Sequence, residues 1–333
     1  MKVAFFSTQN YDREYFDKFK SLHNHELTYF ETALDYRTAD LTHGFDAICV
    51  FVNDKVDKRT IGKLSENGIR LIALRCAGHN NVDLESASRN GIRVVRVPAY
   101  SPEAVAEHTL ALILTLNRKT HKAYNRIREG NFSLEKLTGF NLHNKTVGVI
   151  GTGKIGAVFC EIMIAFGCKI LAYDIHESEE LKRKGVKYVA LDSVFTSSDI
   201  ISLHCPLTED TKHIINRDAF SKMKDGVMLI NTSRGALIKT ADVIDALLKK
   251  KIGYLGIDVY EQEEHLFFKD LSESIIEDEL ILRLNSFPNV LITSHQAFLT
   301  KEALDEIATV TLKNITDFEN NNVLDNEIKY IEN

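Results

Sequence analysis

The chain has 333 residues, about two domains' worth at roughly 150 residues per domain. It carries 41 Lys and Arg against 47 Asp and Glu, a formal net charge of −6, and 44% of its residues are hydrophobic. This composition is typical of a folded globular protein and excludes disorder as the main state. The mild acidity and the lack of a basic stretch argue against a nucleic-acid partner. No apolar run in the sequence approaches the ~18 residues of a membrane span, and the first residues lack the apolar core of a secretory signal. We therefore expect a cytoplasmic protein with no membrane partner.

Short β-rich apolar runs alternate with amphipathic stretches along most of the chain, a pattern typical of βαβ units and parallel sheets. In the first hundred residues the spacing predicts strands at Lys2–Phe6, Leu27–Phe30, Ala47–Phe51, Leu71–Leu74 and Val94–Val97, and helices at Tyr11–Leu22, Lys58–Asn67 and Asp83–Asn90. The pairs Asn67-Gly68 and Asn90-Gly91 are predicted helix ends.

A domain boundary is predicted near residue 100. Ser101 can cap a helix whose first position is Pro102, because proline fits the first helical turn. The following stretch, Ala104–Asn117, is apolar on more than one face, so we expect it to be buried between domains or at a subunit contact, which favours a homodimer. A second alternating region follows, and the last forty residues, helical over Leu299–Glu319, contain too few strands for a domain. We predict that they fold back onto the first domain and make it discontinuous.

A glycine-rich turn joins the strand predicted at Lys145–Ile150 to the apolar helix Ala157–Phe166. The first glycine, Gly151, permits a tight turn, and the second, Gly153, lets the backbone approach a pyrophosphate. The third, Gly156, allows close packing of helix and strand, and the helix N-terminus offers unpaired N–H groups to the anion. The turn predicts a dinucleotide site, although such a motif alone is weak evidence.

A carboxylate, Asp174, ends the next predicted strand about 20 residues further on, where the ribose hydroxyls of a bound dinucleotide lie. Asp174 can accept hydrogen bonds from those hydroxyls and repel a 2′-phosphate. The next residues, Ile175 and His176, supply no arginine that would reverse this choice. The alternative is a solvated aspartate at a strand end, but the combination with the glycine turn predicts NAD as the cofactor.

Two further runs, Ile200–Pro206 and Val227–Gly235, are interpreted as strands that end at the same edge of the sheet, because parallel strands bring their carboxyl ends together. Residues near the ends of these runs should therefore flank the cofactor: Cys205, Pro206, Thr232 and Ser233. For Cys205 a plain core position is an equally simple interpretation.

Three residues near strand ends have complementary chemistry: Arg234, Glu263 and His295. A guanidinium holds the carboxylate of a 2-oxo acid bidentately, and an imidazolium can deliver a proton to the carbonyl oxygen as hydride arrives at carbon. A neighbouring carboxylate stabilises and orients the imidazolium. From spacing alone, Glu261 and Glu264 are alternatives to Glu263.

Over essentially its whole length the chain resembles the D-specific 2-hydroxyacid dehydrogenases. Besides the glycine turn, the segments that carry the resemblance are Arg75–Asp83, Val97–His108, Ser202–Pro206, Asn231–Gly235 and Ser294–Thr300. The resemblance implies that Arg234 binds the substrate carboxylate, that Glu263 supports His295, and that His295 exchanges the proton. It also implies an α/β fold of two Rossmann-like parallel-sheet domains. It further implies that the NAD-binding domain, 101–297, is inserted into a discontinuous catalytic domain, 1–100 and 298–333, and that the domains are expected to close over the substrate.

The same resemblance implies further contacts. Lys154 and Ile155 are expected at the pyrophosphate and Asp258 near the nicotinamide carboxamide. Thr211 is a further expected cofactor contact, at a position where relatives often carry an amide. The first-domain loops are expected to contribute substrate-binding residues, namely Arg75, Gly78 and Tyr100. The N–H of Gly78 would bind the carboxylate, whereas Arg75 could equally form a structural ion pair.

The expected activity is the reversible, NADH-dependent reduction of pyruvate to D-lactate, because the bulky Tyr100 and Phe298 favour a small side pocket. One alternative is another member of the family that acts on glyoxylate, hydroxypyruvate or a branched 2-oxo acid. A second, from a different class, is a non-catalytic NAD-sensing protein like the transcriptional corepressors of this fold. Retention of Arg234, Glu263 and His295 argues against the sensor. No metal site is expected.

Overall fold

The structure is a computed structural model that describes residues 1–330, apart from the side chain at position 265. Its strands are β1 Lys2–Phe5, β2 Glu26–Tyr29, β3 Ala47–Val50, β4 Leu71–Leu74, β5 Arg93–Val95, β6 Thr146–Ile150, β7 Lys169–Tyr173, β8 Lys187–Tyr188, β9 Ile200–Leu203, β10 Val227–Asn231, β11 Ile252–Ile257 and β12 Val290–Ile292. Its α-helices are α1 Asn10–Phe19, α2 Lys58–Glu66, α3 Leu84–Arg89, α4 Pro102–Arg118, α5 Thr120–Arg128, α6 Lys154–Ala165, α7 Glu179–Arg183, α8 Leu191–Ser197, α9 Arg217–Lys222, α10 Thr240–Leu248, α11 Glu279–Asn285 and α12 Lys301–Glu319. Short 3₁₀ turns lie at Lys20–Leu22, Ala39–Thr42, Gly235–Leu237 and Glu263–His265.

The chain forms two compact units. Unit 1 combines Met1–Ser101 with the chain from Phe298 onward, and unit 2 is Pro102–Ala297. Unit 1 contains a five-stranded sheet in the order β2-β1-β3-β4-β5 with every pairing parallel. Strands β3 and β4 are buried at every position, as expected for strands covered on both faces.

Unit 2 contains a seven-stranded parallel sheet in the order β12-β11-β10-β9-β6-β7-β8. The chain runs outward in one direction through β6, β7 and β8 and in the other through β9 to β12. The order therefore reverses between β6 and β9, and ligands of such sheets bind outside the carboxyl ends of the strands at this switch point. The prediction of an α/β fold with two parallel sheets is confirmed.

The predicted helix ends are confirmed in the first hundred residues. Asn67 is the C-cap of α2 and Asn90 is the C-cap of α3. The glycines that follow them, Gly68 and Gly91, have φ of +86° and +67°. Glycine adopts such angles without the steric cost that a Cβ would bring, so the helices stop there.

Helix α1 is shorter than the predicted helix at Tyr11–Leu22. It ends at Phe19, and the next three residues tighten into a 3₁₀ turn, which is common at helix ends. At the other end of the chain, α12 begins at Lys301 because the side chain of Thr300 caps it by accepting the N–H of Ala303. Helix α12 packs against α1 and β4 of unit 1.

Helix α4 begins at Pro102, as predicted. It packs against α6, β10 and β11 of its own unit, burying Leu112, Ile113 and Leu116. Packing within unit 2 therefore accounts for the buried apolar residues of α4, and the subunit contact stays a prediction. In the described part of the chain, no helix is both long enough and apolar enough to cross a membrane.

Candidate active site

The glycine-rich turn lies between β6 and α6, and two of its glycines are required by contacts. Gly151 has a φ of +93°, and a Cβ there would collide with the backbone of Cys205. A Cβ at Gly156 would collide with the carbonyl of Gly151. At Gly153, the N-cap of α6, a Cβ would meet nothing within 4 Å, so there is open space beside this backbone.

That open space fits a bound pyrophosphate. Lys154 and Ile155 begin the twelve-residue helix α6, whose first turn has N–H groups that no helix carbonyl can accept. Such N–H groups and the positive end of the helix dipole attract an anion. The phosphate contact of Lys154 and Ile155 stays a prediction.

Asp174 follows β7 and faces the glycine turn. Its Oδ2 accepts the N–H of Thr152 at 2.5 Å and the Thr152 hydroxyl at 3.1 Å, and its Oδ1 accepts the N–H of His176 at 3.0 Å. Partial burial alone would raise the pKa of Asp174, but the hydrogen bonds from His176 and Thr152 hold it below its ordinary value. Asp174 is thus a fixed, charged acceptor at the end of β7, and its contact with the ribose hydroxyls stays a prediction.

The ends of β9 and β10 are joined by side-chain bonds. The Ser233 hydroxyl donates to the carbonyl of Cys205 at 2.7 Å, and the buried Thr232 hydroxyl bonds that of Thr109 on α4 at 2.8 Å. Burial raises the pKa of Cys205 to about 11, so its thiol stays neutral and acts by packing. These bonds fix the shape of the sheet edge that faces the glycine turn.

Thr211 lies beyond β9, and its hydroxyl closes a local turn by donating to the carbonyl of Pro206 at 2.6 Å. This hydrogen bond helps to fix the backbone conformation of the loop between Pro206 and Thr211. The cofactor contact of Thr211 stays a prediction.

Arg234 lies in a turn that is held by two hydrogen bonds of the Asn231 side chain. The buried Asn231 donates its amide to the carbonyl of Arg234 at 2.9 Å, and its oxygen accepts the N–H of Ser233 at 3.0 Å. The half-buried guanidinium of Arg234 donates to the carbonyl of Ser233 at 2.7 Å. One donor is used in this way, so others on the planar fork remain to meet a carboxylate.

His295 and Glu263 form a direct pair. His295 Nδ1 lies 2.9 Å from Glu263 Oε1, with the two side chains 14% and 21% exposed. Glu263 Oε2 accepts the N–H of Tyr260 at 2.9 Å, so both carboxylate oxygens are fixed. Glu261 contacts a different histidine, His213, at 2.6 Å. Of the carboxylates that spacing left open, Glu263 is the one that contacts His295.

The backbone at His295 is left-handed, with a φ of 54°. This conformation is uncommon for residues other than glycine and persists where surrounding contacts enforce it. The N–H of His295 donates to the carbonyl of Asp258 at 2.7 Å, and the Asp258 carboxylate accepts the N–H groups of Gln296 and Ala297, each at 2.9 Å. The Asp258 residue thus holds the backbone on both sides of the histidine side chain.

Asp258 itself is fully buried. Its carboxylate also accepts the Thr293 hydroxyl at 2.5 Å and lies 3.4 Å from Nε2 of His108 on α4. Burial would raise the pKa of Asp258, but the hydrogen bonds from His108, Thr293 and the Ala297 backbone hold it below its ordinary value. Sequence reasoning missed the part that Thr293 and His108 play here, because residues so far apart in the chain carry no signal of contact. The carboxamide contact of Asp258 stays a prediction.

The three residues predicted from the first-domain loops belong to unit 1. Arg75 is 1% exposed, and its Nε donates to Asp12 Oδ1 at 3.1 Å, which favours the structural ion pair over a substrate contact. Near Gly78 the thiol of Cys76 donates to the Gly78 carbonyl at 3.3 Å. The ring of Tyr100 meets that of Phe298 edge-on, with centroids 6.2 Å apart. The substrate roles of Arg75, Gly78 and Tyr100 stay predictions.

The fold and the site describe a dinucleotide-binding α/β protein with a histidine–carboxylate pair at the carboxyl edge of its nucleotide sheet. Residues 110–297 match the sequence model of the D-isomer specific 2-hydroxyacid dehydrogenase, NAD binding domain. The chain belongs to this family. The predictions of the family, of an NAD-dependent enzyme and of NAD as its cofactor are confirmed, and the NAD-sensing alternative is not retained.

Individual relatives match along nearly the whole chain. It is 52% identical to a 2-hydroxyacid dehydrogenase homolog of Haemophilus influenzae over 326 residues, 98% of each chain. It is 49% identical to the D-lactate dehydrogenase of Escherichia coli over 328 residues, 98% of this chain and all of the other. The apo structure of the E. coli D-lactate dehydrogenase superposes with a TM-score of 0.90 over 98% of this chain and 100% of that one, at 48% identity. The Aquifex aeolicus D-lactate dehydrogenase, complexed with NAD and lactic acid, gives 0.88 over 99% and 100%, at 36% identity.

Proposed function

We propose that the protein reduces pyruvate to D-lactate with NADH, and runs the reverse reaction with D-lactate and NAD. The single observation that carries the proposal is the 2.9 Å contact between His295 Nδ1 and Glu263 Oε1. This contact leaves Nε2 of His295 as the ring nitrogen that can give a proton to a carbonyl oxygen. When bound, NADH supplies the hydride.

The remaining roles belong to residues of the same unit. The Arg234 guanidinium holds the substrate carboxylate, because a planar fork matches both carboxylate oxygens. The Glu263 carboxylate keeps the imidazolium of His295 oriented and compensates its charge. Asp258 holds the loop around His295, while the glycine turn and Asp174 bind the two ends of the cofactor's adenosine diphosphate half.

We propose pyruvate as the substrate, following the prediction that the bulky Tyr100 and Phe298 favour a small 2-oxo acid. In unit 1 the ring centroid of Phe298 lies 5.7 Å from that of Phe51, 6.2 Å from that of Tyr100 and 6.4 Å from that of Tyr11. A small side pocket for the substrate stays a prediction. The relatives named as D-lactate dehydrogenases, at about half identity, support the same substrate.

A kinetic panel tests the substrate. Initial rates of NADH oxidation would be measured with pyruvate, glyoxylate, hydroxypyruvate and a branched 2-oxo acid. The expected result is the highest kcat/KM for pyruvate. A higher value for any of the other three would move the assignment to that substrate within the family.

The compartment, the oligomeric state and the metabolic role of the protein are also proposals. We propose a cytoplasmic homodimer that regenerates NAD in fermentation. Four apolar side chains on and just after α5 support a subunit contact, because Tyr124, Ile127, Phe132 and Leu134 are between 55% and 81% exposed. Light scattering after gel filtration tests this point, and a mass of one chain would contradict it.

A further inference from the structure

Glu261, two residues before Glu263, forms a second carboxylate–histidine pair that the proposed mechanism does not use. Its Oε1 lies 2.6 Å from Nε2 of His213, and its Oε2 accepts the N–H of Thr240 at 3.0 Å. The side chains of His213 and Glu261 are 30% and 23% exposed. Both oxygens of Glu261 are therefore engaged in hydrogen bonds.

The two partners of Glu261 belong to two different segments, a loop and the start of a helix. His213 lies in the loop after β9, whereas Thr240 is the first residue of α10. The N–H of His213 also donates to the carbonyl of Ala236 at 2.8 Å, and that of Ile215 to the carbonyl of Leu237 at 3.0 Å. The loop of His213 thus runs alongside the turn Gly235–Leu237, which directly follows Arg234.

The Arg234 turn also lies against the backbone that carries Glu261. A Cβ at Gly235 would collide with the carbonyl group of Tyr260, so only glycine allows this approach. The same residue, Tyr260, donates its N–H to Glu263 at 2.9 Å. Glu261 therefore lies where the turn that carries Arg234 meets the segment that carries the partner of His295.

The chemistry of the pair suits a fixed link. Burial would raise the pKa of Glu261, but hydrogen bonds from Thr240 and His213 hold it below its ordinary value. The backbone of His213 is left-handed, with a φ of 54°, a conformation that neighbouring contacts must maintain. The Glu261 carboxylate, with one oxygen bonded to His213 and the other to the start of α10, is such a contact.

We propose that Glu261 and His213 are positioning residues that set the place of Arg234 relative to the Glu263–His295 pair. Neither is expected to touch the substrate. The proposal rests on the proposed function, because it assumes that Arg234 holds the carboxylate of the 2-oxo acid. Displacement of a substrate-binding group by about 1 Å is enough to weaken binding and turnover markedly.

The test compares Glu261→Ala and Glu261→Gln with a matched control, Asp199→Ala. Like Glu261, Asp199 uses both of its carboxylate oxygens. One accepts the backbone N–H of Thr146 at 2.9 Å, and the other accepts a hydrogen bond from the Lys224 ammonium at 2.9 Å. Asp199 precedes β9 and so lies at the opposite end of the strand from the site. The measurements are KM and kcat for pyruvate, KM for NADH, Tm, and the Kd of oxamate, a pyruvate analogue, on the enzyme–NADH complex.

Glu261→Ala is expected to raise KM for pyruvate and Kd for oxamate about tenfold, with KM for NADH within about twofold. Glu261→Gln should restore most of the loss, because its amide oxygen can accept from Thr240 and its NH₂ can donate to a neutral His213 ring. Asp199→Ala should lower Tm and leave both KM values unchanged. If Glu261→Ala does not fold, His213→Ala breaks the same contact and is expected to raise KM for pyruvate in the same way.

The proposal is overturned if Glu261→Ala, or His213→Ala in its place, lowers Tm while KM for pyruvate and Kd for oxamate stay at wild-type values. It is also overturned if KM for pyruvate and for NADH rise by the same factor. Arg234→Lys, measured in parallel, separates this outcome from failure of the proposed function. If Arg234→Lys raises KM for pyruvate and Glu261→Ala does not, only the positioning role fails. If neither raises it, the role of Arg234 itself fails.

Discussion

Replacing Glu263 by glutamine tests the acid–base pair most sharply. Glu263 serves two donors, His295 Nδ1 and the N–H of Tyr260, each at 2.9 Å. Glutamine has one amide oxygen, so it can satisfy only one of them, and its NH₂ would face the other donor. The variant keeps the size of the side chain but loses the charge that compensates an imidazolium.

The magnitude follows from the lost interaction. A hydrogen bond to a charged group contributes about 1.5–3 kcal/mol, and each 1.36 kcal/mol is tenfold in rate, so kcat should fall roughly 10- to 150-fold. Both side chains are partly exposed, at 14% and 21%, so solvent screening favours the lower part of this range. KM for pyruvate should change little, because the variant leaves Arg234 intact.

The assay is the initial rate of NADH oxidation with pyruvate, and Glu264→Gln is the control. Glu264 is an exposed carboxylate in the same turn, so its neutralisation should leave kcat unchanged. A Glu263→Gln variant that keeps kcat within about twofold of the wild-type value would contradict the role of Glu263. A Glu264→Gln variant that loses as much activity as Glu263→Gln would contradict it equally.

Three other perturbations address the carboxylate clamp, the cofactor and the pH dependence of stability. Arg234→Lys loses the planar guanidinium, so KM for pyruvate should rise about 10- to 100-fold in steady-state kinetics, while NADH still binds. An unchanged KM for pyruvate would exclude the proposed carboxylate-binding role of Arg234. Asp174→Ala should raise KM for NADH about tenfold or more and reduce the preference for NADH over NADPH. The measurement is kcat/KM with each cofactor, and a wild-type ratio of the two values would contradict the role of Asp174. Burial lowers the pKa of His204 to about 3 from 6.5, so the unfolded chain binds a proton that the folded chain does not. The stability from this group is therefore complete above pH 6.5 and is lost as the pH falls toward 3, by up to about 1.4 kcal/mol per pH unit. Urea unfolding across this range should show a flatter pH dependence for His204→Gln than for wild type, and identical slopes would contradict the assignment.

Much of the fold could be predicted because its signals are local. Parallel strands such as β3 and β4 are continuous apolar runs, and helix ends such as Asn67-Gly68 are set by backbone conformation within a few residues. The glycine turn and Asp174 could also be predicted from local signals, because steric contacts require the glycines and electrostatics favours the carboxylate at a fixed spacing in the sequence.

The side-chain partners could not be predicted in the same way. Glu261 and Glu263 are two residues apart, yet one contacts His213 and the other His295. That choice depends on which loops meet at the sheet edge, a tertiary property without a sequence period. Likewise, the sequence pattern does not reveal that Arg75 forms an ion pair with Asp12 inside unit 1, because the two residues are 63 positions apart in the chain.

His295, Arg234 and bound NAD are proposed to act together on a small 2-hydroxy acid of one handedness. The most direct measurement is the initial rate of NAD reduction with D-lactate and, separately, with L-lactate, followed by the absorbance of the reduced cofactor. We expect turnover with D-lactate and none above background with L-lactate. Equal rates with the two isomers, or turnover of L-lactate alone, would contradict the proposed roles of these residues.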